Sequence, residues 1–406
     1  MKGITFIIIG FFTIQTNAQT LENLLEKALD NNPMIQKYET QYQVSSEKVN
    51  ESNTLPNTQL GVGYFVSEPE TRTGAQRAKI SVKQMLPWFG SITARENYMS
   101  SLADAKYEDI AIAKRKLVAS VSRSYYNLYA IQKKQEILKQ NISLLETYET
   151  LALTSVAVGK ASAVDVLRLQ MRQNELEQLF KVLEQDYLAE QTAFNQLLNR
   201  ESTTDIAVVD ALAIPEEDAS LLGEQLQLHP ELIKYDKLYE SVAQSELLNR
   251  KESLPMVGFG LDYVAVSERP NMVFDENGKD IIMPMVSLSI PVFSQKYKSR
   301  TKQNELRQQE LVFQKEDRLN KMKTILDRAL KERKSSRISY ETQSRNLQQA
   351  KDAEEILIKS YETGTIDFND VLDIQELQLK FQISQIESIK NYFVQAAIIN
   401  YITQQI

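Results

Sequence analysis

Few side chains in this sequence could do covalent or metal chemistry. There is no cysteine and a single histidine, His229, so thiolate nucleophiles, disulfides and Cys-type metal sites are excluded. His229 stands directly before Pro230, as Asn32 stands before Pro33, which is the place of a helix-start residue rather than of a general base. Ten methionines are scattered along the chain, and neither a Gly-rich phosphate loop nor a metal-ligand spacing occurs. What stands out is a doubled motif, Gly-x5-Asp-Val-Leu. Gly159 leads to Asp165-Val166-Leu167, and Gly364 leads to Asp370-Val371-Leu372, with Asp373 one helical turn after Asp370. Acids at such places cap a helix start and suit the positive end of its dipole. The sequence thus predicts no catalytic residues, no cofactor and no metal site.

The motif is part of a larger repetition. Pro33, Lys37, Tyr38 and Tyr42 return as Pro230, Lys234, Tyr235 and Tyr239. Leu55-Pro56, Gly61 and Tyr64 return as Leu254-Pro255, Gly260 and Tyr263, and Leu86-Pro87 with Phe89 returns as Ile290-Pro291 with Phe293. The offset drifts from about 197 residues at the first prolines to about 205 at the glycines, a drift that small loop insertions explain. The expected organisation is two copies of one supersecondary unit, 19–200 and 224–406, joined by a short linker at 201–223.

Each unit contains an unusually long helical stretch. Residues 91–158 hold neither Gly nor Pro, and 292–363 repeat this. At 1.5 Å per residue each would reach roughly 100 Å, against a usual helix of about 11 residues. The return stretches 160–214 and 365–406 are equally free of breakers, so Gly159 and Gly364 read as the points of reversal. Leu169, Leu176 and Leu183 recur at sevens, as do Leu372, Leu379, Ile386 and Phe393, the period of a left-handed coiled coil. On the helices alone, a soluble coiled coil fits as well as anything.

The strands shift the balance. Two hairpins are expected, 59–66 with 79–86 and 257–266 with 283–290, of the length a tilted strand needs to cross a bilayer. Val257, Phe259, Leu261 and Tyr263 share one face, and Gly258, Gly260 and Asp262 the other. That suits a barrel wall between lipid and a wet lumen, although a soluble sheet with one buried face alternates in the same way. Tyr64, Phe65, Trp88, Phe89, Tyr263 and Phe293 gather at strand ends, like an interfacial belt. Four strands cannot close a transmembrane barrel, for which about eight are needed, and an open edge in lipid leaves backbone groups unpaired. A dimer would give eight strands with a filled interior, and a trimer twelve strands around water; the trimer is the expectation. Pro87 and Pro291 mark the change from strand to helix, fitting the first helical turn. Loops 67–76 and 267–281 then lie at the far ends of the hairpins, toward the cell exterior.

Composition is that of a folded, water-compatible chain, 42% hydrophobic and 25% charged, with no apolar run long enough to cross a bilayer as a helix. The net charge of −7 disfavours nucleic acid as a partner and shows no basic patch for anionic lipid. Lys2, the apolar run 4–14 and Thr16-Asn17-Ala18 read as a secretory signal at 1–18. No cysteine follows the cut to carry a lipid anchor.

With two strand-pair-plus-helical-hairpin halves, Leu-Pro before each strand pair and the doubled tip motif, the chain resembles the TolC-like outer-membrane factor family over essentially its whole length. The resemblance implies a mainly α protein with a membrane β-barrel portion: a homotrimer whose 12-stranded outer-membrane barrel continues as a periplasmic α-helical barrel. It implies a passive exit duct, not an enzyme, in a tripartite efflux pump. Cargo would come from an inner-membrane RND or ABC transporter through a periplasmic adaptor protein. The short chain leaves only 200–223, with 205–209 as a candidate strand, for an equatorial domain, which is similar to the heavy-metal efflux branch. The resemblance also places Gly159 and Gly364 at the periplasmic tip that meets the adaptor. It makes Asp370 and Asp373 stacked acidic rings of the gate and links Tyr361 to Asp165. An Arg two residues after the second Gly completes that lock in the family, and this chain has Ile366 there, leaving Asp367 or Arg168 as other partners. Alternative readings are a type I secretion exit duct or, less well matched by a duplicated unit, a periplasmic adaptor or coiled-coil scaffold.

Overall fold

The computed structural model describes residues 20–158, 162–218, 223–270, 272–363, 365–366 and 368–403; the expected signal segment 1–18 lies outside them. Helix α1 (Leu21–Asn31) leads into α2 (Pro33–Ser52). Strand β1 (Gln59–Tyr64), the short β2 (Glu70–Thr71) and β3 (Gly74–Leu86) follow. Next come the long α3 (Ser91–Ala157) and its return α4 (Ala163–Leu197). After a 3-10 turn at Gly223–Leu228, the order recurs as α5 (Pro230–Glu252), β4 (Met256–Ser267), β5 (Ile281–Ser289), α6 (Gln295–Glu362) and α7 (Phe368–Thr403). Helix, hairpin, long helix and return helix thus occur twice.

The strands form one antiparallel sheet in the order β1-β3-β4-β5, with β2 attached to β3. Lys83 lies opposite Gly260, and Gly260 opposite Met285. Leu86 faces Val257 and Met256 faces Ser289, so the strand ends that join the helices share one end of the sheet. At the other end the two connecting loops are tied together. Gly278 N–H donates to the Thr73 carbonyl at 2.7 Å, and Arg269 pairs with Glu70 at 3.1 Å. Gly74 begins β3 five residues before the expected start. Its φ of +135° favours glycine, and a Cβ there would sit 1.9 Å from the Ser267 carbonyl oxygen.

Strands β1, β4 and β5 differ from the expected bounds by one or two residues at their ends, and three larger differences follow. Pro87 and Pro291 lie between strand and helix, not in the first helical turn. On the first side Gly90, at φ +80°, makes the turn that lets α3 start at Ser91. Helix α4 ends at Leu197, well inside the breaker-free stretch that reaches 214, because Asn199 takes the left-handed φ of 51° in place of a C-terminal glycine. Residues 205–209 form no strand. Just there, Val209 N–H donates to the Tyr125 hydroxyl at 3.0 Å and Leu212 N–H to that of Tyr129 at 3.2 Å, so side chains replace a partner strand.

The chain divides into two compact units that cut across the repeats. One comprises Met34–Ala113 and Glu224–Met322; the other Met1–Pro33, Lys114–Gly223 and Lys323–Ile406. In the latter, the seven-residue rows meet. Leu138 and Leu145 of α3, Leu169 and Leu176 of α4, and Val371 and Leu379 of α7 share one buried cluster. Each such leucine contributes about 1.5–3 kcal/mol through its removal from water.

In the same unit the segment after α4 is pinned at Asp218. Its carboxylate accepts bonds from the Tyr392 hydroxyl at 2.5 Å and Arg337 Nη2 at 2.6 Å, with Arg333 at 3.3 Å. Burial pushes this carboxyl up, but those bonds and the two guanidiniums outweigh it and hold its pKa below the ordinary value. A depressed carboxylate adds stability above its unfolded pKa of about 4 and loses it as pH falls through the lower folded value. Asp218→Asn should therefore lower the thermal midpoint in detergent at pH 7. The gap to wild type should close below about pH 3, and a gap of constant size from pH 7 to 3 would show that the carboxylate's charge is not what anchors the segment.

Candidate functional site

Two regions gather the charged and polar groups of interest: one face of the sheet and the return-helix starts. The first belongs to the unit containing the strands. On one face Leu60, Val62, Val286 and Leu288 are exposed by 58–77%, and Ile80, Val82, Phe259 and Leu261 join them. The opposite face carries Lys79, Ser81, Lys83, Asp262 and Ser287, interleaved with Gly61, Gly258 and Gly260. Asp262 is fully buried and forms an ion pair with Lys79 on the neighbouring strand. Neither of its oxygens has a well-directed hydrogen bond, so the pair is held by charge rather than by donor geometry. Gly258 leaves room for Met85, whose Sδ lies 3.9 Å from Ser287 Oγ.

The other region lies at the starts of α4 and α7. Gly159 and Gly364, expected at the hairpin tips, fall outside the described residues, as does Asp367. Ser162 and Asp165 form a reciprocal cap on α4: the Ser162 hydroxyl accepts from Val164 N–H at 3.2 Å, and the Asp165 carboxylate accepts from Ser162 N–H at 3.3 Å. Asp165 is buried, and no hydrogen bond joins it to Tyr361 among the described residues. The ring of Tyr361 instead packs on Phe368, with centroids 5.1 Å apart, and Phe368 packs on Tyr148 at 5.6 Å. Within this chain the Asp165 carboxylate is engaged by its own helix and the Tyr361 ring by the aromatic stack. Asp370 and Asp373 are exposed on successive turns at the start of α7.

Side chains of both hairpins tie them together, and of these the sequence does not single out Arg172, Tyr148, Glu354, Gln375 or Gln378. Ile366, where the family has arginine, packs against the apolar cluster. The guanidiniums come from the other hairpin: Arg168 donates to Asn369 Oδ1, and Arg172 approaches Glu376 at 3.8 Å. Deeper in, the Tyr148 hydroxyl donates to Glu354 at 3.0 Å and accepts from Gln375 at 3.4 Å, while Gln378 donates to Glu354 at 2.6 Å. Burial, followed by the Glu354 charge and bond, raises the Tyr148 pKa far above its ordinary value. Arg168, which the sequence offers as an alternative lock residue, aligns with Asp373 at the repeat offset, so the two copies carry opposite signs there. His229 caps α5, its Nδ1 accepting from Glu231 N–H at 3.2 Å.

Comparison with known proteins fits this picture. Residues 24–200, the first repeat, match the family model described as outer membrane efflux protein. No curated protein matches the sequence. Among solved structures, the chain is similar to CusC, with a TM-score of 0.78 at 14% identity, covering 95% of this chain and 92% of that one. The Campylobacter jejuni CmeC outer membrane channel gives 0.77 at 14% identity, covering 94% and 85%. The Vibrio cholerae outer membrane protein VceC gives 0.75 at 15%, covering 94% and 95%. At such identities the likeness is one of fold, that of outer-membrane channels. Sequence match and fold together define an outer-membrane efflux channel, seated in the outer membrane and extending into the periplasm.

Removing the Asp165 carboxylate with Asp165→Ala should cost about 1 kcal/mol of local helix stability. Hydrogen exchange of the Ser162 and Val164 amides should then speed up by about fivefold. Unchanged exchange would mean that Asp165 does not cap α4 in solution.

Proposed function

We propose that three copies of this chain close a twelve-stranded barrel in the outer membrane and form the passive exit duct of a tripartite efflux pump. An inner-membrane transporter of the RND or ABC type loads the duct through a periplasmic adaptor. The observation that carries this reading is the sheet: one face exposes Leu60, Val62, Val286 and Leu288, while the other holds Lys79, Lys83 and Asp262. Its outer strands β1 and β5 each pair on one side only. A lipid-facing surface with two open edges calls for further copies. Twelve strands leave a water-filled lumen, which the charged face suits. The loops at the ends of the hairpins away from the helices then face the exterior.

Within this reading, Asp370 and Asp373 form the gate, and the hairpin-to-hairpin contacts of Arg168 and Arg172 hold it. Six carboxylates in a narrow passage concentrate cations and repel anions. Adaptor contact falls to the tips around Gly159 and Gly364.

Light scattering in detergent should give the mass of three chains; a monodisperse monomer that stays in solution without detergent would overturn the assembly. Tags inserted at Ser67 or Val273 should be labelled on intact cells, and labelling only after the outer membrane is permeabilised would invert the topology. In planar bilayers, a trivalent cation should block the wild-type channel, and low pH should relieve the block as the carboxylates take protons. In Asp370→Ala/Asp373→Ala the block should weaken by about tenfold or more. Equal block in both proteins would leave these acids as helix caps and put the constriction elsewhere.

A further inference from the structure

The acidic chain hides a positive band. Where the sheet meets the helices, the ends of four separate segments come together: Leu86 pairs opposite Val257, Met256 opposite Ser289, and Gln84 of β3 donates to the Pro56 carbonyl between α2 and β1. The junctions expose large apolar side chains: Phe89 by 87%, Phe293 by 89%, Val292 by 78% and Trp88 by 38%. Beside them, residues 87–98, 246–255 and 291–300 carry six cations against Glu96, Glu246 and Glu252. The end of α2 adds Lys48 against Glu47 and Glu51, leaving an excess of two positive charges on a chain whose net charge is −7.

The carboxylates there are largely engaged. Glu252 is taken by Arg300 at 2.7 Å, and Glu246 by Arg250 at 3.2 Å together with Thr301 and Asn304. Lys251, Lys296 and Lys298 form no ion pair among the described residues. Lys251 Nζ donates to the Phe89 carbonyl at 3.4 Å, which sets its charge directly beside the most exposed ring of the first junction. Lys296 and Lys298 are exposed in the first turn of α6, just after Val292 and Phe293. Exposed aromatic side chains with unpaired lysines one turn away match the acyl-to-headgroup boundary of a bilayer, where rings sit at headgroup level and lysines reach phosphate.

We propose that this collar binds anionic phospholipid headgroups of the membrane leaflet nearest the helices, with Lys251, Lys296 and Lys298 as the headgroup-binding cations. Net charge concealed it, because the band is assembled from four segments that meet only in the fold. The inference rests on the membrane-spanning reading of the strands, and the test separates the two. Trp88 is the only tryptophan of the chain and lies in the collar, so its fluorescence reports lipid contact there alone. The protein is reconstituted into mixed phosphatidylcholine and phosphatidylglycerol vesicles in which either one lipid or the other carries brominated chains. Brominated phosphatidylglycerol should quench Trp88 at least about twofold more than brominated phosphatidylcholine at equal mole fraction, and 1 M salt should reduce the preference. The K251Q/K296Q/K298Q variant should keep its quenching but lose the preference, and millimolar inorganic phosphate should leave the wild-type preference intact. Equal quenching by the two lipids in wild type, or a preference retained in the triple variant, would overturn the proposal. Quenching by neither lipid would remove the membrane reading itself, and the collar with it.

Discussion

The unpaired backbone at the two sheet edges constrains everything else in this protein. Strand β1 has six residues and β5 nine, and about half of the N–H and C=O groups of an edge strand point away from its ladder. In hydrocarbon each unmet group costs several kcal/mol, so a lone sheet would carry a penalty of tens of kcal/mol. A folded domain has only about 5–15 kcal/mol in reserve. The apolar face cannot simply turn inward either, since the opposite face holds Lys79, Lys83 and the buried Asp262. Under the proposed assembly, closure by other copies would meet both demands together, and two hairpins per copy would let few chains suffice.

Much of the architecture is legible in the sequence because it is built from long-range regularities. The repeat offset, the breaker-free stretches and the strand alternation survive local irregularity, and each corresponds to an element that the structure contains. Misjudged boundaries have short-range causes instead. Nothing in the composition of 198–214 announces that Asn199 adopts a left-handed φ, since asparagine does so only where the surroundings favour it. The early start of β3 depends on the end of β4, in the other repeat, lying against Gly74, a contact between residues far apart in the chain. The apolar run at 205–209 has the composition of a strand, but its neighbourhood offers tyrosine hydroxyls in place of a partner strand.

The candidate site was less legible, and the reason is chemical. A carboxylate near a helix start can face a passage or satisfy its own helix, and sequence position is the same in both cases. Asp165 is taken by the cap, whereas Asp370 and Asp373 remain exposed on their helix. The two copies of one motif have thus diverged: where the second has the acid Asp373, the first has Arg168. A duplicated unit can diverge at matching positions and so let one hairpin bind the other, as Arg168 does by donating to Asn369.

That divergence bears on how firmly the tip is held. Ile366 replaces a charged group by an apolar one that joins the buried cluster, and the polar contacts between hairpins move to Arg168 with Asn369 and Arg172 with Glu376. Exposed contacts of this kind contribute about 0–1 kcal/mol each, and salt weakens them further. The aromatic stack of Tyr361, Phe368 and Tyr148 adds about 0.5–1.5 kcal/mol per ring pair beyond its burial, and salt does not screen it. Packing therefore outweighs charge at this tip. Under the proposed gating role, a partner that opened it would have to separate rings, and would act more effectively through apolar contact than by competing for the arginines.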